Sequence, residues 1–225
     1  MSDFINKNDG YILLLNGEKV VIPKDTYVLT EDYVKRLVEK SQWYRKLVDK
    51  EENSYRKGVL EVYIPDSVVS IEDRTFQFCE NLKKVLFVSY GYVKYIGSNA
   101  FDTCKSLELF DFNACEGHVY IGNSAFFECG FSVVDFGDVS IELDDACFAY
   151  CNKLLKVNNL KTRIISRNCF YCCSELLSVS CSNSVYAIEY AAFDGCNSLL
   201  IFESNNLDKG IHIEDNNEPL LRILK

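Results

Sequence analysis

At near-constant spacing the chain repeats a Phe followed three positions later by a Cys, in six copies: Phe76/Cys79, Phe101/Cys104, Phe126/Cys129, Phe148/Cys151, Phe170/Cys173 and Phe193/Cys196. Successive cysteines of this set are 25, 25, 22, 22 and 23 residues apart. An aliphatic residue stands five positions before each Phe: Ile71, Ile96, Ile121, Leu143, Ile165 and Ile188. A Leu follows three after the Cys in five copies (Leu82, Leu107, Leu154, Leu176, Leu199), and Phe131 takes that place in the third after a one-residue deletion. Self-similarity at such a period is the signature of a stacked array of short structural units.

The pattern continues past each Leu with apolar residues at +3 and usually +5, as in Val85/Phe87, Phe110/Phe112 and Val134/Phe136. A step of two is strand periodicity, with alternate side chains pointing inward. The stretch around the Ile, Phe and Cys has no such period and predicts a turn, a short helix or an irregular return. One such coil cannot bury its own apolar side chains, whereas stacked coils bury them against their neighbours. With strand neighbours ~4.8 Å apart, the recurring Phe predicts an internal aromatic column.

Repeats reading Ile-Gly-x-x-Ala-Phe-x-x-Cys-x-x-Leu, preceded by "IPDSVVSI" (Ile64 to Ile71), resemble the BspA-type leucine-rich repeat family over about residues 59–204. Four copies lack the Gly, and Thr75, Cys147 and Cys169 replace the Ala before Phe; these positions read as decayed consensus. The resemblance implies an α/β-type repeat solenoid. It would be a right-handed, curved array of about seven coils, with short parallel strands on one face and irregular or short-helical returns. It also implies a binding or adhesion role, often on microbial surfaces, without shared catalytic residues.

The ends predict caps. Residues 1–58 would hold hairpin-like strands and a capping helix, and residues 205–225 a last strand and a tail. The pair Asn16-Gly17 between apolar runs is a hairpin signal. "VVIPKD" (Val20 to Asp25) echoes "VYIPDS" (Val62 to Ser67), so the N-terminus could imitate a coil. Apolar residues at helical spacing from Val34 to Val48 predict one helix over about 31–50, with Thr30 as its N-cap. That helix either covers the first coil or offers Trp43 to a partner. In the tail, Ile211 and Ile213 suggest a strand. Leu220, Leu221, Ile223 and Leu224 would close the far end or dock on another chain.

The formal charge is -9, which argues against nucleic acid or an anionic membrane as a partner. No basic start followed by an apolar run opens the chain, and no stretch approaches a membrane span. Eleven cysteines are an odd number, and six share one structural column. Stacked thiols point the same way and do not pair automatically into disulfides. They read as small buried hydrophobes, which favours a reducing, cytoplasmic setting. Cys169, Cys172 and Cys173 have the spacing of half a zinc site, completed only if Cys147 and Cys151 join them; the reading is no metal and no cofactor. Cys115 and His118 lie in one loop, but the chain shows no P-loop, GxSxG or HExxH motif, and the reading is not an enzyme.

Function then falls to outward-facing strand positions, because inward ones are committed to packing. The expected contacts for a protein partner are Tyr63, Leu86, Leu109, Asp111, Val133 and Asp135. The leading reading is a non-catalytic protein-binding module, monomeric or weakly self-associating. The rival is a structural scaffold or surface adhesin assembling through the solenoid ends.

Overall fold

A computed structural model of the chain describes residues 7–48, 50–51, 53–182, 185–205 and 210–224. Each coil carries two strands rather than one. The first column holds β4 (Val59–Ile64), β6 (Lys84–Phe87), β8 (Leu109–Phe110), β10 (Val133–Asp135), β12 (Lys156–Leu160), β14 (Ser178–Cys181) and β16 (Ile201–Glu203). These are the strands that the step of two predicts, and Val62, Val85, Phe110, Val134, Val157, Val179 and Phe202 point inward. The second column runs through the aliphatic positions. It holds β3 (Val28–Leu29), β5 (Ser70–Ile71), β7 (Tyr95–Ile96), β9 (His118–Ile121), β11 (Ser140–Leu143), β13 (Ile164–Ile165), β15 (Ala187–Ile188) and β17 (His212–Ile213). Within each column neighbouring strands pair in parallel, with one break in the first column between β8 and β10 and one in the second between β11 and β13.

Between the second strand and the next first strand, the chain turns on an alternating backbone. The residues two before each repeat Phe (Arg74, Asn99, Ser124, Ala146, Asn168, Ala191) all have φ between 54° and 59°. So do those two after it, from Phe78 to Cys172, at 55° to 60°, with Gly195 in the sixth copy at 77°. With left-handed residues on both sides of each Phe, alternate N–H groups turn toward the following coil. Arg74 N–H donates to Ser98 O (3.0 Å), Phe76 N–H to Ala100 O (2.8 Å) and Phe78 N–H to Asp102 O (2.8 Å). The same triplet recurs downstream, so the turns form a third hydrogen-bonded column. L-residues with a Cβ are strained there by roughly 1–2 kcal/mol each. Ala146→Gly is therefore expected to stabilise the fold by up to about 1 kcal/mol. Ala149→Gly, at an adjacent buried position of ordinary φ, should cost about 0.5–1 kcal/mol. Equal signs in paired denaturant titrations would refute the strain.

The Phe–Cys pair has one physical explanation. Rings of consecutive coils stack in parallel, at 5.3 Å for Phe76–Phe101, 5.2 Å for Phe101–Phe126 and 5.2 Å for Phe126–Phe148, and the column continues to Phe193. From the second copy on, the Cys thiol donates backward to the carbonyl of the preceding coil's Phe: Cys104 to Phe76 O (3.1 Å), Cys129 to Phe101 O (3.2 Å), Cys151 to Phe126 O (3.2 Å). Cys173 and Cys196 repeat the contact. A residue that is both apolar and a weak donor suits this position.

Two of the substitutions read as decay serve the same end. The Thr75 hydroxyl donates to Leu29 O (3.0 Å) and Glu72 O (2.7 Å), and the Cys147 thiol to Asp144 O (2.8 Å), so polar atoms at the small position still meet backbone acceptors.

The N-terminal cap differs from expectation in its helix. β1 (Gly10–Leu14) and β2 (Lys19–Ile22) form the hairpin at Asn16-Gly17, and β1 pairs antiparallel with β4. β2 lies in the same sheet and runs in the direction of β4, with β1 inserted between them, and β3 pairs parallel with β5, so "VVIPKD" and the residues after it follow the path of a coil. The single helix over 31–50 is corrected to α1 (Glu31–Glu39) and α2 (Gln42–Arg45), while Asp49 lies outside the described residues. Thr30 caps α1 as expected, accepting from Tyr33 N–H (3.2 Å). Ser41 then starts a new helix by accepting from Tyr44 N–H (3.0 Å), and Glu18 accepts from Gln42 and Trp43 N–H (both 2.9 Å). Trp43 packs on Gly58, where an added Cβ would lie 2.3 Å from the ring, so the indole closes the first coil.

At the far end α3 (Glu218–Ile223) buries Leu220. Ahead of it, buried Asn217 takes the place of a further coil. Its Oδ1 accepts from Phe193 N–H (2.9 Å), and its Nδ2 donates to Glu189 O (3.0 Å) and Glu214 O (2.9 Å).

Candidate functional site

The first strand column is not one sheet. β2-β1-β4-β6-β8 form one and β10-β12-β14-β16 another, with the seam between β8 and β10. The seam falls at the third copy's deletion. There Gly130 lies so close to the preceding coil that an added Cβ would sit 2.3 Å from Lys105 O, and Phe112–Ala114 wind into a 3-10 turn.

The expected contacts lie on both sides of this seam. Tyr63 is half-buried. Its ring stacks on Tyr11 of the hairpin (4.2 Å), and its hydroxyl donates to Glu61 Oε2 (3.0 Å). Leu86 is half-buried beside it in register. Leu109 and Val133 are each 41 % exposed and stand across the seam from one another. Asp111 leads into the 3-10 turn. Asp135 Oδ1 accepts from Gly137 N–H (3.0 Å) and from Asn159 Nδ2 (2.9 Å). The structure thus brings Leu109 and Val133 out as free apolar side chains, holds Tyr63 under the hairpin, and engages Asp135 with neighbouring groups.

The other sequence candidates separate. Cys115 is buried, which pushes its thiol up to about 12, and exposed His118 places Nε2 3.3 Å from Glu142 Oε2. A protonated buried thiol is no nucleophile. All eleven cysteines are free thiols, ten of them buried, with Cys172 partly exposed. Among the described residues no three His, Cys, Asp or Glu side chains gather as a metal ligand set, and no helix is long and apolar enough to cross a membrane.

Sequence reasoning passed over a second feature, on the turn face of the later coils. An open groove of about 500 Å³ runs across Phe127, Tyr150, Tyr171 and Tyr190, with Asp194 as the one charged residue along it among the described residues. Its floor is opened by Ala146, Ala149 and Ala191. The equivalent positions of the first two copies carry Arg74, Gln77, Asn99 and Asp102. Aromatic residues recurring beside left-handed turn positions were the available signal.

Comparison with known proteins agrees with this geometry. A family model described as BspA type leucine-rich repeat region matches residues 53–116 and 94–212, in 6 copies. A leucine-rich repeat protein from Bacteroides ovatus aligns at 25% identity and a TM-score of 0.54, over 65% of this chain and 38% of its own length. The T. pallidum leucine-rich repeat protein aligns at 19% identity and a TM-score of 0.50, over 73% of this chain and 83% of its own. The chain therefore spans well under half of the B. ovatus protein, and the second likeness shows the fold alone. No curated protein sequence matches significantly.

Proposed function

Because the chain belongs to the BspA-type leucine-rich repeat family, we propose that it is a non-catalytic protein-binding module that recognises its partner through the first strand column. The observation that carries this reading is the pair Leu109 and Val133, both 41 % exposed at the seam between the two sheets. Parallel coils place successive side chains in rows, so a partner can engage several coils at once. Exposed apolar side chains set among polar ones suit the centre of an interface, where a few anchors dominate. The free thiols suit a reducing compartment, and cytoplasmic residence is part of the proposal.

A Leu109→Ser/Val133→Ser double variant should melt with the wild type, because both side chains face out. Immobilised wild type and variant are exposed to the same extract, and any retained protein is then titrated by calorimetry. A species held by wild type and weakened by more than ~1 kcal/mol in the variant supports the strand face. Equal retention by both overturns it. Tyr63→Ser is a poorer probe, since losing the stack on Tyr11 also loosens the hairpin.

The second reading, a scaffold assembling through its ends, is favoured by β16. This terminal strand of its sheet exposes Ile201 by 51 % and is preceded by Leu200, exposed by 68 %. A terminal strand that exposes apolar side chains favours edge pairing. Sedimentation that shifts with concentration, and is suppressed by Leu200→Lys, would favour assembly.

A further inference from the structure

We propose that the turn-face groove is a receptor for the cationic side chains of a basic polypeptide segment, with an Arg or Lys head held against the exposed tyrosine rings near the Asp194 carboxylate. The proposal concerns a different face from the strand column and stands independently of it.

Ring geometry points to a cation. The internal Phe rings stack in parallel, with Phe101–Phe126 only 2° from coplanar. The groove rings do not. Phe127 and Tyr150 lie 5.1 Å apart at 51°, and Tyr150 and Tyr171 lie 5.4 Å apart at 69°. Rings set at a steep angle make adjoining walls, so a compact cation can meet more than one ring. A flat ligand wants a single platform. The negative face of an aromatic ring attracts ammonium and guanidinium groups. Tyr150 and Tyr190 are 39 % and 42 % exposed and open to such a group, and Asn216 Nδ2 holds the Tyr190 hydroxyl at 2.6 Å.

Charge points the same way. Among the described residues Asp194 is the only charged side chain along the groove, and no cation lines it. Among the described residues the Asp194 carboxylate has neither an ion-pair nor a hydrogen-bond partner. The chain as a whole carries -9, which draws basic ligands and repels anionic ones. The groove crosses the turns of four successive coils, with Phe127, Tyr150, Tyr171 and Tyr190 one on each. An extended segment can therefore place several side chains along it.

The test is calorimetric titration of the full chain with a tetra-arginine amide at low ionic strength, beside its uncharged tetra-citrulline counterpart and a neutral oligosaccharide, cellotetraose. Saturable binding of tetra-arginine with one peptide per chain is expected, weakening as salt rises. Tetra-citrulline and cellotetraose should bind at least about tenfold more weakly. Asp194→Asn and Tyr150→Leu should each weaken tetra-arginine about three- to tenfold, while Tyr150→Phe keeps most of the affinity. Leu109→Ser, on the other face, should leave it unchanged, so failure here is separable from failure of the strand-face reading. Thermal melts confirm that each variant is folded. Binding that Asp194→Asn and Tyr150→Leu both leave intact would be diffuse attraction to an acidic protein and overturns the proposal. Equal binding of tetra-citrulline or of the oligosaccharide overturns it too, the latter in favour of a glycan site.

Discussion

Phe126→Ala is expected to cost ~3–5 kcal/mol and to lower the thermal midpoint sharply. The ring is fully buried. It stacks at 5.2 Å on Phe101 above and Phe148 below, and its edges meet Phe110, Phe112 and Phe131 between 5.5 and 5.9 Å. Truncation removes the packing of a central coil on both neighbours at once. In an array whose stability is a sum of coil and interface contributions, a central loss touches two interfaces. Phe193→Ala, at the last repeat position, faces only Phe170 in the stack and the edge of Phe202, and should cost less. Phe78→Ala, at a ring 51 % exposed, should cost least of the three. Urea titrations give all three values. A loss below ~1 kcal/mol at Phe126, or one no larger than at Phe78, would break the assignment of the column.

The column was legible because Phe, Cys, Leu and the aliphatic residue recur at fixed spacing, and a packed interior tolerates little change at such positions. The second strand column was not legible. Most of its strands, such as Tyr95–Ile96 and Ile164–Ile165, are two residues long, too short to display a period of two. The left-handed turn positions were hidden for another reason. Only the sixth copy writes Gly at the second of them, and Thr103, Glu128 and Tyr150 adopt the conformation without any sequence mark. The helix break after Glu39 was missed because Ser41 and Glu18 together cap a second helix, and Glu18 comes from the hairpin, a contact no local pattern displays.

The candidate faces divide in the same way. Alternation identified Leu109 and Val133 as outward. It could not show that Tyr63 would be covered by Tyr11, because β1 inserts antiparallel beside β4. The seam beside Leu109 follows from a deletion visible at Gly130, but its effect on strand pairing depends on three dimensions. The turn-face groove combines side chains from separate coils, and its mark in sequence is the change from bulky polar residues to Ala at Ala146, Ala149 and Ala191.

In mild alkali the protein is expected to unfold. Burial pushes the thiols of Cys79, Cys115, Cys181 and Cys196 up to about 12, and holds those of Cys104, Cys129, Cys169 and Cys173 well above the ordinary range. Thiols of the unfolded chain titrate near ~8.5. Below that value both states keep the proton, and these groups give no pH dependence. Above it the unfolded chain sheds protons that the folded chain retains, so stability falls as pH rises toward the folded values. The slope is ~1.4 kcal/mol per pH unit for each such thiol. By about pH 10 the eight together remove on the order of 10 kcal/mol, comparable with the whole stability of a domain. Urea midpoints should therefore stay level up to about pH 8 and collapse by about pH 10, with thiolate absorbance appearing as the fold is lost. At neutral pH an alkylating reagent should reach partly exposed Cys172 first and the buried thiols only after denaturation. A Cys115→Ala/Cys181→Ala variant, lacking two of the eight, should show a shallower alkaline slope. A midpoint that holds level from about pH 8 to about pH 10 would mean that the thiols are not retained as buried, protonated groups, and the cysteine column would need another explanation.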